Sequence, residues 1–217
     1  LIGVFGGTFD PIHYGHLRPA LDVLHQAGLD EVRFIPNRAP PHRDAPFLSD
    51  QLRAELVQLA IEDTPGFVLD KRELLRSGPS YMVDTLQSLK SEFPADTLCL
   101  IMGMDAFNGF EKWHRWQAIP ALCHLIVTTR PGAGCATDYN AALAGFASAG
   151  DSSAHFSRDA RCLQRRSGGQ ILLQLVTQLD ISASSIRQSL LSGQSIQYLL
   201  PEVLREKLEH AYAKYTR

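Results

Sequence analysis

The opening of the chain sets the strongest limit on its fold. A short apolar run, LIGVF at 1–5, enters the glycine-rich turn GGTFDPIHYG, and a stretch of helical spacing follows at once. Leu17, Leu21 and Leu24 share one face of that stretch across 16–27, and Gly28 suits the position just past a helix end. The same order of strand, turn and helix then recurs. EVRFI (31–35), FVLDKREL (67–74), TLCLIMG (97–103), HLIVTT (124–129) and ILLQLV (171–176) read as further strands. Between and after them, helices are expected behind a Ser49 cap, at Ser80–Leu89, at Ser184–Leu191 and from Pro201 to Tyr215. Residues 131–169, rich in Gly, Ala and Ser, are weakly patterned, with one helix expected near Ala141–Phe146.

Apolar strands alternating with amphipathic helices specify an α/β chain. The expected fold is a Rossmann-like, doubly wound, mostly parallel sheet of about six strands with helices on both faces. A single domain is expected over 1–217, with a small helical part at about 181–217. Such sheets bind ligands beyond the C-terminal ends of their strands, where strand order reverses. The ends of the first, fourth and sixth expected strands carry chemistry-bearing residues.

Composition narrows the function. Lys plus Arg is 21 against 23 for Asp plus Glu, a formal charge of −2. A protein that neutralises nucleic-acid phosphates usually has a basic excess, so no nucleic-acid partner is expected. No apolar run approaches the ~20 residues of a membrane span, and the first residues lack a signal peptide's basic start. The four cysteines, Cys99, Cys123, Cys135 and Cys162, show no paired spacing. They read as reduced thiols in a cytoplasmic protein, with Cys99 and Cys123 as core residues.

The turn after the first strand offers main-chain N–H groups on a glycine backbone, followed by a helix N-terminus, a setting that favours phosphate. It matches neither a dinucleotide GxGxxG nor a P-loop, because the lysine is missing and His13 and His16 stand instead. Three residues apart, they share a face. Three roles compete for them: satisfied structural histidines, metal ligands with only Asp10 close by, or hydrogen-bond donors to phosphate oxygens. The third is favoured. A helix N-terminus disfavours charge on His16 in the free protein and a bound polyphosphate restores it, so nucleotide binding is expected to take up protons.

GGTFDPIHYGH resembles the GxFDxxHxGH signature of nucleotidyltransferases, and its form is similar to that of the bacterial nicotinate-nucleotide adenylyltransferases. Further segments resemble that family in order: PNRAPPHR (36–43), GPSYMVDT (78–85), Gly103-Met104-Asp105, the Trp113–Trp116 stretch, and ISASSIR (181–187). The resemblance implies ATP and nicotinate mononucleotide as substrates, with Mg²⁺ held mainly by phosphates and no protein metal cage. It implies catalytic roles for His13, His16 and Arg187. It implies ATP contacts at Gly6, Gly7, Thr8, Phe9, Gly103, Asp105, Ile181, Ser184 and Ser185, and mononucleotide contacts at Asp10, Arg43, Tyr81, Thr85 and Trp113. Arg43, Met82 and Ala183 depart from the family pattern, which usually has Lys, Thr, and Ser or Thr there.

The residues themselves leave alternatives open. Asp105 suits a ribose contact or a helix cap, Ser184 and Ser185 a phosphate site or ordinary capping, and Arg187 a phosphate fork or a surface ion pair. One of the two tryptophans reads as core, and Arg72 and Arg76 as solvated charges. Preference for the amide mononucleotide, and an adenine-nucleotide sensor without turnover, stand as alternative functions. Oligomeric state is left open.

Overall fold

The computed structural model describes residues 1–38, 45–129, 155–164 and 168–213. Arg43, Cys135 and the helix expected near 141–146 lie outside them. Among the described residues seven strands form one sheet: β1 (Ile2–Gly7), β2 (Glu31–Pro36), β3 (Phe67–Leu69), β4 (Leu98–Gly103), β5 (His124–Thr129), β6 (His155–Ser157) and β7 (Gln170–Leu175). Their order is β3-β2-β1-β4-β5-β7-β6, and every pairing is parallel. The expected six strands are all present. The seventh, β6, is a three-residue edge strand in the weakly patterned region.

Among the described residues the α-helices are α1 (Tyr14–Gln26), α2 (Asp50–Ile61), α3 (Arg72–Leu75), α4 (Met82–Glu92), α5 (Met104–Asn108), α6 (Ala183–Leu191) and α7 (Glu202–Ala213). Within 67–74, expected as a strand and its exit, the strand ends at Leu69, where Asp70 accepts from the Arg72 N–H and a short helix begins. The α6 helix starts one residue before Ser184, since Ser182 is its cap.

Strand alternation builds a core on each face of the sheet. Cys99 and Ile101 of β4 point to the side of α1, α2, α6 and α7, where Val23, Leu56, Val57, Ile186, Leu190, Leu204 and Leu208 are buried. Leu98, Leu100 and Met102 point the other way, onto Val83, Leu86 and Leu89 of α4. Each such side chain contributes roughly 1.5–3 kcal/mol on burial. Cys99 and Cys123 are core residues, as expected, and burial pushes the Cys99 thiol up to about 12.

The chain reverses its direction of winding between β1 and β4. These neighbours pair from Ile2↔Leu98 only to Val4↔Leu100, although the strands run on to Gly7 and Gly103. On their outer sides pairing continues to Gly7↔Pro36 and Gly103↔Thr128. The sheet therefore opens at this one pair, at the C-terminal ends of the two central strands, where doubly wound sheets hold ligands.

Candidate active site

Beyond Gly7 the chain turns sharply. Phe9 sits at φ 47° and the Asp10–Pro11 peptide is cis. The Phe9 ring is buried and packs edge-on against His16, with centroids 5.2 Å apart. Its side chain belongs to the core, which leaves its main chain for the expected ATP contact. A Cβ at Gly7 would lie 2.9 Å from this ring, so the turn needs glycine there.

His13 caps α1 without making a side-chain hydrogen bond, and its carbonyl accepts from the N–H groups of His16 and Leu17. The His13 and His16 rings lie 3.9 Å apart, centroid to centroid. The Nδ1 atoms of both are buried without a partner. Burial lowers His13 to about 4. Burial, and then the neighbouring His13, hold His16 well below its ordinary value. Both imidazoles are therefore neutral at pH 7. Desolvation is the largest cause for both. Gly15 lets the pair close up, since a Cβ there would lie 2.9 Å from the His13 ring and 3.0 Å from the Ile181 carbonyl. Tyr14 N–H is already taken by the Leu199 carbonyl. Among the described residues, Gly15 N–H has no acceptor.

The structure brings Arg187 of α6 to the same turn. Its Nη1 donates to the Asp10 main-chain oxygen at 2.6 Å and lies 3.7 Å from the Asp10 carboxylate, while Nη2 donates to the Ser184 hydroxyl. Asp10 is buried, and its two carboxylate oxygens accept from the N–H groups of Phe47 and Leu48. The side chain assigned to the mononucleotide thus anchors the segment before α2 instead. Ser185 N–H is held by Ser182, so the cap of α6 is Ser182 rather than the serines assigned to ATP. Ile181 passes its carbonyl close to Gly15.

Gly103 and Asp105 lie exposed at the end of β4 and in α5. Gly103 itself is the cap position of α5, and Asp105 makes no cap. Across the cleft, α4 begins against β1: a Cβ on Gly6 would meet the Met82 methyl at 2.6 Å. Met82, one of the departures, therefore covers Gly6 with a flexible thioether. Tyr81 stacks on His114 at 4.1 Å. Trp113 and Trp116 both pack on Phe110, and both remain partly exposed.

Thr85 does not face the cleft. It is fully buried, donates to Glu73 and accepts from Arg76, which corrects its assignment to the mononucleotide. Burial raises Glu73 above its ordinary range. Arg72 and Arg76 are also corrected. Arg72 is held by Asp70, Ser88 and Glu92, and Arg76 by Thr85.

The motifs do not point to Arg53. Its side chain is 0% exposed, and it donates to the carbonyls of Thr8 at 2.5 Å and Asn37 at 2.6 Å and to Asp50 at 2.7 Å. A signal existed: Arg53 lies three and four residues before Leu56 and Val57, on the buried stripe of α2. A charged residue on such a stripe needs internal acceptors.

The cytidylyltransferase-like family model matches residues 4–189. A probable nicotinate-nucleotide adenylyltransferase of Halorhodospira halophila is 46% identical over 210 residues, spanning 97% of this chain and 93% of that protein. One of the same name from Aeromonas salmonicida is 46% identical over 200 residues, 92% of this chain and 90% of the relative. Among solved structures, the Plasmodium falciparum nicotinic acid mononucleotide adenylyltransferase complexed with NaAD aligns with a TM-score of 0.68 at 16% identity, covering 99% of this chain and 95% of that one. That likeness shows a shared fold.

Proposed function

The chain belongs to the nicotinate-nucleotide adenylyltransferases, within the cytidylyltransferase-like family, and we propose on that basis that it transfers the adenylyl group of ATP to nicotinate mononucleotide. The products are nicotinate adenine dinucleotide and pyrophosphate, a step of NAD biosynthesis. The observation that carries the reading is the pair of neutral, half-unsatisfied imidazoles at the mouth of an anion-binding turn, where the central strands part.

An oxygen of the mononucleotide 5′-phosphate attacks the α-phosphorus of ATP. A new P–O bond forms, the bond to the β-phosphate oxygen breaks, and pyrophosphate leaves with that electron pair. The attacking phosphate has its second pKa near ~6, so it is largely a dianion at neutral pH and needs no general base. The chain's task is alignment and charge stabilisation. The Phe9 and Gly15 N–H groups, His13 and His16 donate toward the triphosphate. Arg187 holds the turn through Asp10 and keeps further N–H groups near the transferred phosphoryl. Gly103 and Asp105 face the adenosine, and Tyr81 and Trp113 the pyridine.

Mg²⁺, held by the phosphates of ATP rather than by a protein cage, would supply charge neutralisation there. Asp10, the acid nearest the histidines, has both carboxylate oxygens engaged by N–H groups and is not arranged as a metal ligand. No helix among the described residues is long and apolar enough to cross a membrane. A cytoplasmic setting fits the three buried free thiols among them.

The test is pyrophosphate release from ATP with the acid and amide mononucleotides compared side by side. Release with the acid, and a loss on the order of 10²-fold or more in turnover for His16→Ala, are expected. Tight ATP binding with no release would favour a sensor instead, and preference for the amide would move the substrate assignment.

A further inference from the structure

We infer that Arg53 is a positioning residue for the triphosphate, setting the Thr8–Phe9 peptide from behind. A trans peptide points its C=O and N–H in opposite directions. Arg53 Nη1 draws the Thr8 carbonyl inward at 2.5 Å, so the Phe9 N–H is turned outward, away from the guanidinium. That N–H has no acceptor among the described residues. The same side chain holds the Asn37 carbonyl at 2.6 Å, and Asn37 in turn donates its N–H to Gly7 at 2.9 Å and its Nδ2 to the Thr8 hydroxyl at 3.4 Å. One buried fork thus fixes both walls of the turn, Gly7–Thr8 and Asn37.

Its electrostatics point the same way. The guanidinium is fully buried, its Nε finds no partner, and its carboxylate partner Asp50 is 42% exposed. The cation is only partly neutralised. Its remaining field reaches the turn through two peptide groups whose carbonyls it holds, which favours an anion on their far side. A lysine keeps the charge but cannot span both carbonyls with a planar fork.

The role rests on the adenylyl transfer proposed above. The tests are Arg53→Lys and Asp50→Asn, each measured for melting temperature, for binding of inorganic tripolyphosphate, and for KM of each substrate. Folded Arg53→Lys is expected to weaken tripolyphosphate binding and raise KM for ATP by about tenfold or more, with KM for the mononucleotide changed less than about threefold. Asp50→Asn, a change at an exposed side chain, is expected to tighten tripolyphosphate binding by about threefold at low salt, and less at high salt. Parent-like tripolyphosphate binding by folded Arg53→Lys, or equal changes in both KM values, would overturn the role. So would unchanged or weakened binding by Asp50→Asn, which decides the matter alone if Arg53→Lys does not fold. A parent protein that releases no pyrophosphate defeats the proposed reaction itself. An active parent beside unaffected variants defeats only the role of Arg53.

Discussion

Nucleotide binding should draw protons from solution near neutral pH. Burial holds His13 at about 4, so at pH 7 only about one free molecule in 10³ carries a proton there. A polyphosphate seated against the ring supplies the counter-charge that burial removed. If it returns the group to about 7, roughly half a proton enters per site at pH 7 and nearly a full one at pH 6. The second imidazole adds little, because its ring lies 3.9 Å from the first and two positive charges at that spacing repel. By linkage, protonated protein binds the nucleotide up to ~10³-fold more tightly than neutral protein, about 4 kcal/mol. Titration calorimetry with a non-hydrolysable ATP analogue, in buffers of different ionisation enthalpy, measures the uptake as the slope of heat against that enthalpy. A slope of zero across pH 6 to 8 would refute the reasoning.

Two other outcomes test the same arrangement. Gly15→Ala should lower turnover by about tenfold or more while moving the melting temperature only a few degrees, because the new Cβ displaces the His13 ring while alanine favours the helix. Full turnover would show that the ring position does not matter. Stability should also fall on mild acidification. His13 is lower in the folded chain than its unfolded value of 6.5, so the unfolded chain takes up the proton first. Its contribution is complete above 6.5 and lost down to about 4, up to about 3 kcal/mol. Glu73, raised by burial, runs the other way, while the lowered Asp22 and Asp70 act below this window. Denaturant midpoints at pH 7 and 5 check this, and equal midpoints for the parent, or a fall that His13→Asn does not reduce, would sink it.

The elements legible in the sequence were those with a strong local period. β4 up to Met102 and all of β5 are buried because both faces of the sheet are covered, so their middles are apolar runs, and the helix stripes follow from the same two cores. The position of the site was legible too, since the glycine turn, the Gly103 strand end and the start of α6 lie where such a sheet carries ligands. Side-chain direction was not. Phe9 and Thr85 sit inside matching segments, yet one ring faces the core and one hydroxyl is spent on Glu73 and Arg76. The helix terminus is visible in the sequence, but the desolvation that lowers both imidazoles is not, because it depends on contacts distant in sequence. The role of Arg53 is not legible locally because its acceptors, Thr8 and Asn37, lie 45 and 16 residues away.

The start of α1 carries a consequence for anyone engineering this protein. Where Ser, Thr, Asp or Asn would cover the first free amides, a histidine stands with its ring turned aside, and about 1 kcal/mol of capping is forgone. A screen that rewarded heat resistance alone would drift toward Asp at position 13, and every winner would put a fixed negative charge where the proposed reaction seats the nucleotide's own. Selection for robustness and selection for catalysis pull this one position in opposite directions.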